Sequence, residues 1–392
     1  MTVTAQQNKI RVLVLYGGRS VEHEVSLQSA ASVVRHLDPD RFEVMPVGID
    51  KQGRWLVDPD SQAKLQKSSQ SLSLPQGAHE VILPPYSSER FEGNPLVKAT
   101  SALMSLQATN AVKPFDVIFP VLHGPLGEDG SLQGLLEMVD VPYVGAGVLS
   151  SAVIMDKEVA KRLIVAAGLP TVPYLVLRSS TFAQHPPAYY ETLVEAELGL
   201  PVFVKPANLG SSVGIHKVNS VAELIPAIQD AFRYDSKLLI EKGISAREIE
   251  LSVLENPVHG ESPLVSVPGE IVPHHEFYSY EAKYLDENGA QLLVPALLEP
   301  DQVKAAQLLA IKAFEVQECE GMARVDLFLD KNTGQFYYNE ANTIPGFTNI
   351  SMYPKLWEAS GLDYADLLTT LIELAMARHA RKRALNRDWM NR

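Results

Sequence analysis

The chain has 392 residues, a formal net charge of −13, 46% hydrophobic and 21% charged residues, and one cysteine. The length exceeds one ordinary core and predicts roughly two or three domains, and the acidic balance excludes a nucleic-acid partner held by phosphate neutralisation. No apolar run reaches the roughly 20 residues that cross a bilayer, and Cys319 alone cannot form an intrachain disulfide, so a reducing cytoplasm is the expected compartment.

From the N-terminus, "IRVLVLYGGRSVEHEVSLQSAASVVRHL" reads as strand, glycine turn and helix, with Val25, Ala30, Val33, Val34 and Leu37 forming the apolar face. "FEVMPVGID", "FDVIFPVLHG" and "VPYVGAG" are short apolar strands spaced by helical stretches such as "SLQGLLEMV". Alternation of this kind predicts a parallel sheet covered on both faces. Residues 58–112, rich in Ser, Gln and Pro, read as an insertion with partial order. "SSAVIMDKEVAKRLIVAAGLP" predicts one helix with a Ser/Asp start and a stop at Gly168 and Pro170. These elements predict an α/β domain over 1–150, a mixed central domain over 151–246, and a third domain over 247–392 of α+β character.

"VFVKPANLGSSVGIHKV" sets Lys205 beside a loop of bare backbone amides at Ser211 and Ser212. A cation next to a Gly/Ser concavity suits an anion, although an ordinary hairpin with a Gly-rich turn reads the same way. "ARVDLFLDKNTGQFYYNEAN" predicts an antiparallel hairpin. With residues 330 and 336 flanking a five-residue loop, Asp326 stands opposite Glu340, and Asn342 and Arg324 share their face. Opposed carboxylates are costly without a cation between them, and Asp, Glu and Asn are hard oxygen ligands suited to Mg²⁺. A salt-bridged sheet surface with Arg324 between two acids is the competing reading. Together these pieces form a kit for ATP and magnesium, without the G-x-x-x-x-G-K-[ST] string of a P-loop or the HRD and DFG signatures of a protein kinase.

In that order, "GGRSVEHEVS", "HGPLGEDGSLQG", "MDK", "VKPANLGSSVG", "LIEKGISAREIE", "YEAKY", "RVDLFLD" and "NEANTIPGFT" resemble the D-alanine–D-alanine ligase family of the ATP-grasp superfamily, over about residues 10–375. The resemblance implies a three-domain ATP-grasp architecture, a cytoplasmic homodimer, and ATP-dependent joining of two D-alanines through an acyl phosphate for peptidoglycan precursors. It implies Lys157, Lys205, Ser211, Ser212 and Lys283 at the phosphates. Glu241 and the backbone of Lys242 and Ile244 would meet the adenine edge, and Glu248 the ribose. Asp326, Glu340 and Asn342 would hold two Mg²⁺ ions, replaceable by Mn²⁺; whether K⁺ acts as an activator stays open. Glu22 would pair with the ammonium of the first D-alanine near His123, and Ser351 would bind the carboxylate of the second. Arg324 and the Gly346 N–H would form an oxyanion hole, and Ser211, Tyr284 and Glu22 a network tying a closing loop to the first domain. Tyr284 favours an amine acceptor, where ligases that take D-lactate usually carry phenylalanine. Open alternatives are a ligase for D-lactate or D-serine and a non-catalytic nucleotide-binding relative. The tail with Arg378, Arg381, Lys382, Arg383, Arg387 and Arg392 reads as a solvated helix end whose cations suit the C-terminal dipole.

Overall fold

The computed structural model describes residues 9–57, 115–273 and 290–386, with the backbone of two short strands at 79–82 and 97–98. The expected roles of Lys283 and Tyr284, most of the 58–112 insertion, and Arg387 and Arg392 fall outside the described residues. The chain divides into two compact units, one of Met1–Ala146, Gly346–Pro354 and Leu362–Arg392, the other of Gly147–Pro345 and Lys355–Gly361.

In the first unit, β1 (Ile10–Gly17), β2 (Phe42–Ile49), β3 (Trp55–Val57), β4 (His79–Ile82), β5 (Val97–Lys98) and β6 (Val117–Val121) form one sheet in the order β5-β4-β3-β2-β1-β6. Only β2-β1-β6 is parallel; β3, β4 and β5 continue it antiparallel. The segment expected as an insertion therefore contributes two strands to the sheet. β1 and β6 are buried nearly end to end, as central parallel strands must be. Leu13, Leu15, Ile118, Leu132 and Leu136 fill one core. The helix His23–His36 packs Val25, Ala30 and Val33 inward. Its buried Ser26 donates to the Val121 C=O and accepts from the Gly17 N–H at 2.7 Å, which ties the helix to the ends of β1 and β6. "VPYVGAG" forms a single parallel bridge, Ile118 to Tyr143, rather than a strand; Gly145, at φ 94°, turns the chain away.

The second unit holds two antiparallel sheets. β7 (Tyr174–Arg178), β8 (Val202–Pro206), β9 (His216–Val218) and β10 (Lys237–Lys242) form a four-stranded sheet ordered β7-β10-β8-β9. β11 (Ala246–Leu254), β12 (Leu264–Val265), β13 (Gly269–Pro273), β14 (Ala290–Leu293), β15 (Met322–Asp330) and β16 (Phe336–Asn342) form the other, ordered β14-β13-β11-β15-β16 with β12 beside β11. The helix expected over "SSAVIMDKEVAKRLIVAAGLP" is two, Val148–Met155 and Lys157–Ala166. Asp156 breaks it: its backbone is extended at ψ 97°, and its side chain caps the second helix at the Val159 N–H. Lys157 thereby becomes the first residue of a new helix.

Candidate active site

The Gly/Ser stretch is a hairpin loop: β8 and β9 pair antiparallel with Val204 opposite His216. The loop between them is held at its base. The Asn208 N–H and side-chain amide both donate to Asp235 Oδ2, at 2.8 and 2.9 Å, and the Ala207 N–H donates to the Lys237 C=O. Ser211 and Ser212 both have left-handed backbones, at φ 51° and 59°. For non-glycine residues such conformations cost about 1–3 kcal/mol each, and they cluster where a chain binds something. Lys157 Nζ donates to the Leu209 C=O at 2.6 Å and lies 3.4 Å from Glu340 Oε2, so one lysine spans the loop and β16. The helix that carries it is fixed by Lys237, whose Nζ donates to Asp156 Oδ1 at 2.6 Å and to Glu158 Oε2 at 3.0 Å.

Lys205 and Glu241, expected at phosphate and base, meet as a buried pair: Lys205 Nζ donates to Glu241 Oε2 at 2.7 Å. Lys161 Nζ lies 3.1 Å from the other carboxylate oxygen. Burial alone would raise the Glu241 pKa, but the two ammonium groups override it and bring the carboxyl down to about 2. Burial likewise disfavours charge on Lys205, yet Glu241 beside it raises its pKa; Lys161, more deeply enclosed, is held below the ordinary lysine range. The backbone N–H of Lys242 donates to the Pro173 C=O within the sheet, at 2.9 Å. Glu248 lies on β11 opposite Phe328 of β15, and Ile244 is half-buried in the β10–β11 turn.

Asp326 stands opposite Glu340, and Arg324 opposite Asn342. The turn, however, is one residue shorter than the sequence spacing suggested. Leu329 pairs with Phe336 and Leu327 with Tyr338, and a bulge at Asn339 restores the expected pairing. Because a strand's side chains alternate, that extra residue turns Glu340 and Asn342 away from the core that receives Phe336 and Tyr338. Arg324 grips Asp326 with two hydrogen bonds of 2.7 Å and lies 3.1 Å from Glu250 Oε2. Burial disfavours its charge, but Asp326 and Glu250 raise its pKa well above the ordinary value. Asn342 Nδ2 donates to Asp326 Oδ2 at 3.1 Å. Among the described residues no three His, Cys, Asp or Glu side chains are placed to hold a metal ion by themselves. The donor set is two carboxylates and an amide, hard oxygens that leave most positions of an octahedral ion to water and phosphate, which fits Mg²⁺.

In the first unit Glu22 is the N-cap of the helix His23–His36 and is buried. Its Oε2 would lie 2.6 Å from a Cβ at Gly124, whose φ of 79° favours glycine. His123 is buried, with Nε2 3.2 Å from Ser29 Oγ, which also accepts the Phe347 N–H at 3.2 Å. Gly346 and Ser351 are neighbours: a Cβ at 346 would stand 2.6 Å from Ser351 Oγ, which accepts the Thr348 N–H at 3.0 Å.

Two models of known families match the chain: the D-ala D-ala ligase N-terminus over residues 11–146 and the D-ala D-ala ligase C-terminus over 163–373. The chain belongs to the D-alanine–D-alanine ligase family. It is 52% identical to D-alanine–D-alanine ligase A of Bradyrhizobium diazoefficiens over 97% of this chain and 99% of that one. It is 46% identical to the enzyme of that name from Escherichia coli K12, over 96% and 98%. Among solved structures it resembles the D-alanine-D-alanine ligase of Coxiella burnetii, with a TM-score of 0.79, 38% identity and 97% coverage of both chains. The VanG D-Ala:D-Ser ligase of Enterococcus faecalis matches with a TM-score of 0.77, 31% identity, and 94% and 100% coverage. The chain is thus an ATP-dependent ligase with the ATP-grasp fold, in a family that serves peptidoglycan synthesis. ATP use and, in general, Mg²⁺ come with membership of the D-alanine–D-alanine ligases.

Three residues of this site escaped the sequence reading: Glu250, Lys161 and Lys237. Lys161 alone left a signal, since it lies one helical turn after Lys157 and interrupts an apolar face at Ala160 and Ile164. Glu250 acts through the pairing of β11 with β15 and Lys237 through a strand-to-helix contact, neither of which spacing encodes.

Proposed function

We propose that the chain joins two D-alanines to D-alanyl-D-alanine, the γ-phosphoryl group of ATP first activating the carboxylate of one of them. The observation that carries this reading is the convergence of Lys157 on the loop at Leu209 and on Glu340 of β16. Lys157, Lys205 and the loop at Ser211 and Ser212 hold the triphosphate, with Lys283 as a further phosphate cation. Glu241 and the backbone of Lys242 and Ile244 take the adenine, and Glu248 the ribose. Asp326, Glu340 and Asn342 would hold the Mg²⁺ ions, which neutralise charge between phosphoryl groups. A D-alanine carboxylate oxygen forms a bond to the γ-phosphorus and ADP leaves. The second amine attacks the acyl carbon, loses a proton, and inorganic phosphate leaves. Arg324 supplies positive charge for the tetrahedral oxyanion, and the Gly346 N–H is a donor for the same kind of oxygen. Glu22 pairs with the first ammonium near His123, and Ser351 binds the second carboxylate. A homodimer in the cytoplasm and a working division at 1–150, 151–246 and 247–392 complete the proposal; no helix among the described residues is long and apolar enough to cross a membrane.

The test is ADP release with ATP and Mg²⁺ in the presence of D-alanine, L-alanine, or D-alanine with D-lactate or D-serine, with mass analysis of products. Release that depends on D-alanine, with the dipeptide mass, is expected. D-alanyl-D-serine or D-alanyl-D-lactate as the main product would move the chain to another acceptor class.

A further inference from the structure

Lys161 is 1% exposed, and no step described above uses it. Its Nζ donates to Thr171 Oγ1 at 3.1 Å, and Thr171 Oγ1 donates to the Tyr338 C=O at 3.0 Å. The Tyr338 N–H in turn donates to the Pro170 C=O at 2.8 Å. The ammonium is therefore anchored to β16 two residues before Glu340. On its other side it lies 3.1 Å from Glu241 Oε1, in an ion pair that misses hydrogen-bond geometry. Oε1 is fully buried and keeps its capacity to accept an N–H. The remaining groups around Glu241 are Lys205, on Oε2, and Tyr174 and Phe203, its neighbours on β7 and β8.

A second cation is redundant for charge balance here, because Lys205 already neutralises Glu241. Burying an ammonium is costly, and the cost is visible in the lowered pKa of Lys161. What Lys161 adds is direction: pulled from opposite sides by Lys205 and by a lysine tied to Thr171, the carboxylate cannot rotate. We propose that Lys161 is a positioning residue that orients Glu241 to accept a hydrogen bond from the 6-amino group of adenine, and so sets the preference for ATP over 6-oxopurine nucleotides. The inference rests on the reading of Glu241 as the acid that meets the adenine edge.

The experiment measures D-alanine-dependent ADP or IDP release with ATP and with ITP, for the parent chain and for Lys161→Met, Thr171→Val and Glu241→Gln. Methionine matches the lysine stem and leaves Lys205 and Glu241 as a balanced pair, so the variant has no unpaired charge to unfold it. In Lys161→Met the KM for ATP rises by about tenfold, kcat changes less, and the KM for D-alanine stays within about threefold. The kcat/KM preference for ATP over ITP falls by about tenfold or more, because a site built to accept an N–H loses its discrimination when the acceptor is misdirected. Thr171→Val moves the preference in the same direction by less, and it carries the test should Lys161→Met fail to fold. Loss of the ATP preference in Glu241→Gln but not in Lys161→Met or Thr171→Val would overturn the role of Lys161. An unchanged preference in all three would remove Glu241 from the adenine edge and the proposal with it, while D-alanine-dependent turnover would leave the ligase reading intact. Equal losses with ATP and ITP would show Lys161 to be structural only.

Discussion

Single side chains in this molecule are fixed by charge and by very short approaches. Glu340 lies on the same face as Asp326 and 3.4 Å from Lys157. Glu340→Gln keeps its volume and removes its charge, so turnover should drop by about 10³-fold, the size of a lost electrostatic contact in a reacting site. Its melting temperature should stay within a few degrees, which a thermal scan checks. Glu241 carries a pH signature. Its carboxyl is held at about 2 against an ordinary 4.5, so the stability it contributes is complete above pH 4.5 and is lost as the pH falls through 2. Denaturant titrations from pH 5 to 2 should show a loss that is smaller in Glu241→Gln; equal slopes would contradict the ion-pair assignment. Much of this was legible in the sequence because Asp326, Glu340 and Asn342 lie on one hairpin, where pairing follows from counting. Glu250 was not, because its contact with Arg324 depends on β11 lying beside β15, with 73 residues between Glu250 and Arg324 along the chain.

Elements place those side chains by small irregularities. The bulge at Asn339 decides which face Glu340 presents. Deleting Asn339 would make the hairpin regular and set Glu340 directly after Tyr338, still on the outward face and opposite Asp326, so D-alanine-dependent ADP release should survive in part. Sequence counting reached the correct Asp326–Glu340 pair from a turn one residue too long, and the bulge made up the difference. The break at Asp156 is a second irregularity. A continuous helix would have left Lys157 in mid-helix; the cap makes it the first residue and frees its side chain to reach Leu209. Asp in a helical pattern is an ordinary N-cap signal, but helix-forming residues on both sides of it concealed the break.

At the scale of the whole molecule, the C-terminal helix Tyr364–Arg383 belongs to the first unit rather than to a solvated tail. Arg378 is 4% exposed and donates to the Gly145 C=O at 2.6 Å and the Tyr143 C=O at 2.8 Å, with its guanidinium 4.6 Å from the Tyr143 ring centroid. Lys382 bonds Glu137 and His379 bonds Asp140. Arg378 and Lys382 are consumed inside the fold, so this part of the helix end is packed rather than solvated. Arg378→Met should cost about 2–3 kcal/mol, since two buried carbonyls lose their donors, and it should lower the melting temperature without changing the KM for ATP.

The sequence by itself determined the α/β character of the N-terminal sheet, the hairpin with its acids, and the family. These depend on local alternation of apolar residues and on strings of contiguous residues. Tertiary structure alone decided the antiparallel extension of the first sheet, the bulge at Asn339, the sharing of Glu241 between Lys161 and Lys205, and the burial of Arg378. The last two bring together residues distant in sequence, and the energies of all four depend on desolvation and on pairing across strands, neither of which a linear pattern carries.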